Sequence, residues 1–146
     1  MSDRGPIQGA AGLVGAVFLL VGVAGFVPGI TTHLYGGLDF AGHSGNAELL
    51  GVFQVSVLHN LVHLAFGAAG LALARTGDGA RSFLVAGGVI YVVLWIYGML
   101  IDKGSGANFV PLDRSDDWLH LGLGLGMLGL GTVLARDAAQ PARGRA

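Results

Sequence analysis

Chemistry in this chain would fall to its histidines. There are five, His33, His43, His59, His63 and His120, and no cysteine to supply a thiolate or a disulfide. His59 and His63 are four apart in His-Asn-Leu-Val-His, a spacing that puts both rings on one helical face. His120 lies in a similar setting, Trp-Leu-His-Leu. Three chemistries suit such a set. Two imidazoles from different helices, His63 and His120, can ligate haem iron axially. Two or three imidazoles of His59, His63 and His120, with Asp117 or Glu48, can bind zinc or copper. Protonatable rings can also pass protons or sense the outside pH. The paired histidines do not make a zinc-protease motif, because position 60 is Asn60 rather than Glu. A plainer role fits the same residues, with each imidazole donating to a loop carbonyl or a neighbouring side chain and fixing how the loops close.

Other groups carry less. Asp102, Lys103, Asp113, Arg114, Asp116 and Asp117 read as a solvated, charged rim. Gly36-Gly37 lacks the preceding strand and the following Lys-Ser/Thr of a phosphate cradle. Ser56 and Ser115 read as helix caps, with Asp116 and Asp117 suited to a helix's first turn; no G-x-S-x-G elbow is present.

The elements that must hold these residues follow from composition. Of 146 residues, 53% are apolar and 12% charged, about half the charge of a soluble domain. Mean hydropathy is +0.67. A net charge of -1 gives no footprint for nucleic acid. Four uncharged stretches approach the roughly 20 residues needed to cross a bilayer: about Gly9 to Val27, Val57 to Ala74, Ser82 to Ile101 and Trp118 to Ala135. None alternates like a strand, and a helix satisfies its own backbone groups in lipid. The expected fold is therefore all-α, a single membrane domain over residues 1–146 built as a four-transmembrane-helix bundle. Arg75 through Arg81 divides the second helix from the third, and residues 137–146 read as a disordered tail. A cleaved signal peptide is the rival reading of the first stretch, but its n-region holds only Arg4 and no A-x-A site follows.

Lysine and arginine set the orientation. Arg4, Arg75, Arg81, Arg136, Arg143 and Arg145 fall on one side, and only Lys103 and Arg114 on the other. That predicts cytoplasmic termini in a cell's inner (plasma) membrane, with all five histidines in the outer loops or outer halves of helices. His63 and His120 would lie at similar depth, about 10 Å and 7 Å below their helix starts. The outer loop 28–56 is long enough to carry structure of its own. Asn46 through Leu50 suggests a short helix there, with Leu49, Leu50 and Phe53 on its apolar face.

A weak repeat adds detail. Asn60-Leu-Val-His-Leu64 aligns with Asp117-Trp-Leu-His-Leu121, and Gly67 falls opposite Gly124. Two helical hairpins in parallel orientation would produce this pattern. Small-residue pairs (Gly122 with Gly126, Gly12 with Ala16, Gly67 with Gly70) suit close helix packing, within the chain or in a homo-oligomer or with a membrane-protein partner.

Glu48-Leu-Leu-Gly-Val-Phe, Leu58-His-Asn-Leu-Val-His-Leu64 with Gly67, and Asp117-Trp-Leu-His-Leu121 with Gly124 together resemble the bacterial domain-of-unknown-function 4383 family. The resemblance runs from about Gly12 to Gly131. That family often has proline and asparagine where Gln54 and Ser56 stand, and Asn where Asp117 stands. The resemblance implies a small four-helix membrane protein and no activity. The combined expectation is a non-enzymatic structural or accessory envelope component bound in the lipid bilayer. The alternatives are a haem- or metal-binding redox protein and a small proton-linked carrier, the last disfavoured because no acidic residue lies mid-helix.

Overall fold

The computed structural model describes residues 5–139, and their side chains as far as Ala135. Arg4, Arg143, Arg145 and the tail past Ala139 lie outside the described residues. The chain is mostly helical: α1 (Pro6–Ala24), β1 (Thr31–Thr32), the single turn α2 (Leu34–Gly37), β2 (Glu48–Leu49), β3 (Phe53–Gln54), α3 (Val57–Leu73), α4 (Gly77–Leu100) and α5 (Arg114–Ala139). Three helices are long and apolar enough to cross a membrane, α1, α4 and the Arg114–Ala135 part of α5; α3 is apolar but shorter, at 17 residues. Their outward faces carry Leu13, Leu20, Val93, Leu125 and Val133 rather than charge. A helix apolar all round belongs in a large protein's core or in a membrane.

Local signals set the ends. Pro6 opens α1, and the Gln8 side chain accepts from the Gly5 N–H. Ser56 caps α3 as expected, its Oγ accepting from the His59 N–H at 3.1 Å. The fourth helix departs from expectation. Asp113, not Ser115, is its cap: one carboxylate oxygen accepts from the Ser115 and Asp116 N–H groups, and Asp116 returns an acceptor to the Asp113 N–H at 3.1 Å. A carboxylate satisfies orphan donors and the helix dipole together, which a hydroxyl does less well. The α3–α4 connection is also shorter than Arg75 through Arg81. Thr76 caps α4 through the Gly79 N–H, so Gly77 to Arg81 is already helix.

The all-α expectation needs a second correction. The long loop 28–56 folds as a three-stranded antiparallel sheet in the order β1-β2-β3, and no helix forms at Asn46. Thr31 pairs with Leu49, and Leu49 with Phe53. Leu50 and Gly51 both have positive φ (55° and 67°), and the Val52 N–H bonds the Leu49 carbonyl at 3.1 Å. Three residues, Leu50 to Val52, thus join the paired Leu49 and Phe53 into a hairpin, with glycine at one of the two left-handed positions. Ala47, Leu49 and Val55 are buried against Val21 and Ala24, so the sheet forms a cap on the end of α1. The cap is tied to both neighbouring helices. Asp39 and Phe40 carbonyls accept from the first N–H groups of α3, and Asp113 accepts from the Gln54 N–H.

Helices pair as α1 with α3 and α4 with α5, with lighter contact between the pairs. Glycine sets each pairing. A Cβ at Gly67 would lie 2.7 Å from the Gly15 oxygen and 2.6 Å from the Leu19 nitrogen. At Gly124 it would lie 3.1 Å from the Gly88 oxygen and 3.0 Å from the Val92 nitrogen. The spacing Gly15-to-Leu19 thus recurs as Gly88-to-Val92. A second contact recurs too: Asn60 lies against Gly25 as Asp117 lies against Gly98. Gly122 and Gly126, by contrast, face open space, so their small-residue pair takes no part in packing within the chain. Between the pairs run Phe18, Phe66, Phe83, Tyr91 and Met127.

Candidate functional site

Two helix starts and the loops above them build the site. The Ser56 cap fixes the first turn of α3 and with it His59, which is 6% exposed. One turn on, the Nδ1 of His63 lies 3.0 Å from the His59 carbonyl, a contact that requires the proton on Nδ1. The two rings stack at 4.5 Å with an interplanar angle of 1°. Across from them, the Asp113–Asp116 capping contacts fix the first turn of α5 and bring His120 to 4% exposure. Three of the five histidines therefore converge. His33, exposed and in a left-handed backbone conformation, and His43, whose carbonyl accepts from Gln54, lie apart in the cap.

A row of rings joins the two sides. His63 lies 5.6 Å from Phe18, Phe18 stacks on Tyr91 at 5.4 Å, and Tyr91 lies 5.2 Å from His120. Two cavities flank the imidazoles, and all three rings line both. One, of about 110 Å³, lies between Val62, Leu94, Phe109 and Leu112. The other, of about 120 Å³, lies under the sheet cap between Leu49, Phe53, Val55 and Leu123, with Asp116 at its edge. The Nδ1 atoms of His59 and His120 are buried with no hydrogen-bond partner among the described residues. An unpaired buried polar atom costs about 1–3 kcal/mol. Among the described residues no group of three or more His, Cys, Asp or Glu is placed to hold a metal ion. Stacked His59 and His63 present faces, not nitrogens, to each other, and His63 keeps only Nε2 for a ligand.

Of the suggested metal partners, Glu48 is in β2, paired with Thr32 and Gln54, and Asp117 binds the Lys103 ammonium at 2.8 Å. Neither lines the two imidazole cavities. The model of the domain of unknown function (DUF4383) matches residues 8–133. The chain belongs to this family. No curated protein and no solved structure matches it. Within this DUF4383 fold, sequence reasoning missed Tyr91 and took Asp116 and Asp117 as helix-start residues of a solvated rim, whereas both are buried. The repeat read from the sequence did not reach Tyr91; the helix contacts at Gly15 and Gly88 reveal that Tyr91 follows Gly88 at the distance that Phe18 follows Gly15.

Proposed function

We propose that this DUF4383 protein is a non-enzymatic accessory component of the plasma membrane that binds a small molecule in its outer half. In this reading α1, α3, α4 and α5 all cross the bilayer and both termini are cytoplasmic. The arginines support the orientation: Arg75 and Arg81 flank the α3–α4 turn, and Arg4, Arg136, Arg143 and Arg145 belong to the ends. The 17 residues of α3 reach about 25 Å, short of a hydrocarbon core of about 30 Å. The sheet cap closing over its outer end supplies the missing cover. The recurring Gly15–Gly67 and Gly88–Gly124 contacts support two hairpins related by an axis along the membrane normal. His63 and His120 are then equivalents, as are Phe18 and Tyr91 between them.

One observation carries the binding reading: His59 and His120, each with a buried and unpaired Nδ1, line two apolar cavities. Hydrocarbon offers no water to satisfy them, and a bound molecule with a hydrogen-bonding group would. The two cavities compare in size with a cavity of about 150 Å³ that takes up benzene, so the ligand is ring-sized and mostly apolar. Thermal unfolding of the detergent-purified full chain with phenol, benzene and cyclohexane tests this. At ten times Kd a ligand adds about 1.4 kcal/mol of stability. Phenol is expected to raise the midpoint more than benzene, His120→Phe to reduce the difference, and His59→Phe with His120→Phe to remove it. No stabilisation by any of the three would overturn the reading.

A second reading is binding of haem or a transition metal by His63 and His120 with His59 near; cavities of about 110 and 120 Å³ do not fit a porphyrin, so a metal ion is the better match of the two. A Soret band in the purified protein that disappears in His63→Ala or His120→Ala would support it. A colourless, metal-free protein would remove it.

A further inference from the structure

The outer side of this chain has only two basic side chains, Lys103 and Arg114, and both line the same groove. It measures about 460 Å³ and runs between the end of α4 and the start of α5, with Met99, Ile101, Asp117 and Trp118. We infer that this groove holds the phosphate of an anionic phospholipid from the outer leaflet. The inference rests on the membrane-spanning reading above.

Charge and shape both fit. The Lys103 Nζ is held 2.8 Å from the Asp117 carboxylate, which is 4% exposed, so the ammonium is fixed at the groove wall. An ammonium has three donors, and the contact with both Asp117 oxygens at 2.8 Å leaves at least one for another acceptor. Arg114 makes no salt bridge among the described residues. Asp102, Asp113 and Asp116 do not line the groove, and their oxygens are directed to backbone donors. Asp113 accepts from the Gln54, Ser115 and Asp116 N–H groups, Asp116 from the Asp113 N–H, and Asp102 from the Gly104 N–H. Among the charged lining residues Asp117 offsets Lys103 and Arg114 leaves a net charge of +1, and a guanidinium offers the planar fork that phosphate oxygens accept. Below it, Met99 is 56% exposed and Trp118 59% exposed. An indole at this depth belongs at the boundary of headgroup and acyl chain. A choline headgroup would bring a third cation to the groove, whereas phosphatidylglycerol brings only its phosphate charge and hydroxyls.

Trp95 and Trp118 are the only tryptophans, so Trp95→Phe leaves Trp118 as a reporter. The full chain is reconstituted with brominated phosphatidylglycerol or brominated phosphatidylcholine, and quenching of Trp118 is compared at equal mole fraction. The expected preference for phosphatidylglycerol is about fivefold, the gain of one basic side chain near an anionic headgroup. It should fall to about one in Arg114→Gln and persist in Arg81→Gln at the opposite end. Retention of phospholipid by the unaltered chain in native mass spectrometry gives the same comparison without the Trp95 change. Equal quenching by both lipids overturns the groove's assignment. Loss of the preference on adding inorganic phosphate assigns the site to free anions instead. Absence of quenching by either lipid overturns the membrane-spanning reading itself.

Discussion

Replacing Gly67 by alanine forces a methyl group into the place where α1 and α3 touch. Built on the existing backbone, its Cβ would lie 2.6 Å from the Leu19 nitrogen and 2.7 Å from the Gly15 oxygen. An ordinary contact needs about 3.5 Å, so the helices must separate by roughly 0.9 Å. Both obstructing atoms are backbone and cannot rotate away. A gap of that size forfeits up to about half of the dispersion energy along the contact, and overpacking of this kind costs about 1–3 kcal/mol. Alanine returns up to about 1 kcal/mol in helix propensity. Gly122→Ala supplies the reference, because nothing lies within 4 Å of its Cβ; there only the propensity gain remains. Gly67→Ala should therefore be less stable than Gly122→Ala by about 1–3 kcal/mol. Gly124→Ala should fall between them, since its nearest obstruction, at 2.8 Å, is a Val92 methyl that can shift. Equilibrium unfolding in mixed micelles, followed by circular dichroism, measures all three. If Gly67→Ala and Gly122→Ala unfold together, the close approach of α1 and α3 is refuted.

Four other substitutions probe the end of the bundle under the sheet cap. Lys103→Ala strands the buried Asp117 carboxylate and should cost about 1–3 kcal/mol; Asp117→Asn in the same chain should restore most of it, because an amide there can meet Gly98 as Asn60 meets Gly25. Failure of that rescue in the same unfolding assay would show that the two contacts are not equivalent. Ser56→Ala should cost about 1 kcal/mol and Asp113→Ala more, up to about 2 kcal/mol, since Asp113 accepts from three backbone donors where Ser56 accepts from one. Equal losses at the two caps would contradict that ordering.

The helices were legible because their signal is long: runs of some 18 apolar residues cannot be anything else in so uncharged a chain. Their ends were less so. Ser115 looked like the fourth cap, and only the fold reveals that Asp113 also reaches Gln54 across the cap. Asn46-Ala-Glu48 has the look of a helix start, but the turn at Leu50-Gly51 and the pairing of Leu49 with both Thr31 and Phe53 prevail. Pairing of that kind depends on partners distant in sequence, which local spacing does not record. The histidine site was half readable. Spacing placed His59 beside His63, and the repeat pointed from His63 to His120. The ring row through Phe18 and Tyr91 was hidden, because an aromatic residue in a membrane helix looks the same whether it faces lipid or the interior.

The manner in which the helices touch has a mechanical consequence. Within each hairpin, backbone rests on backbone at glycine, a joint with no side chain to flex. Between hairpins, contact passes through rings and a thioether, which swing and slide. The molecule is thus two stiff leaves meeting along a compliant spine. The imidazoles belong to both leaves, His59 and His63 to one and His120 to the other. Any parting of the leaves is read out directly as the span between His63 and His120.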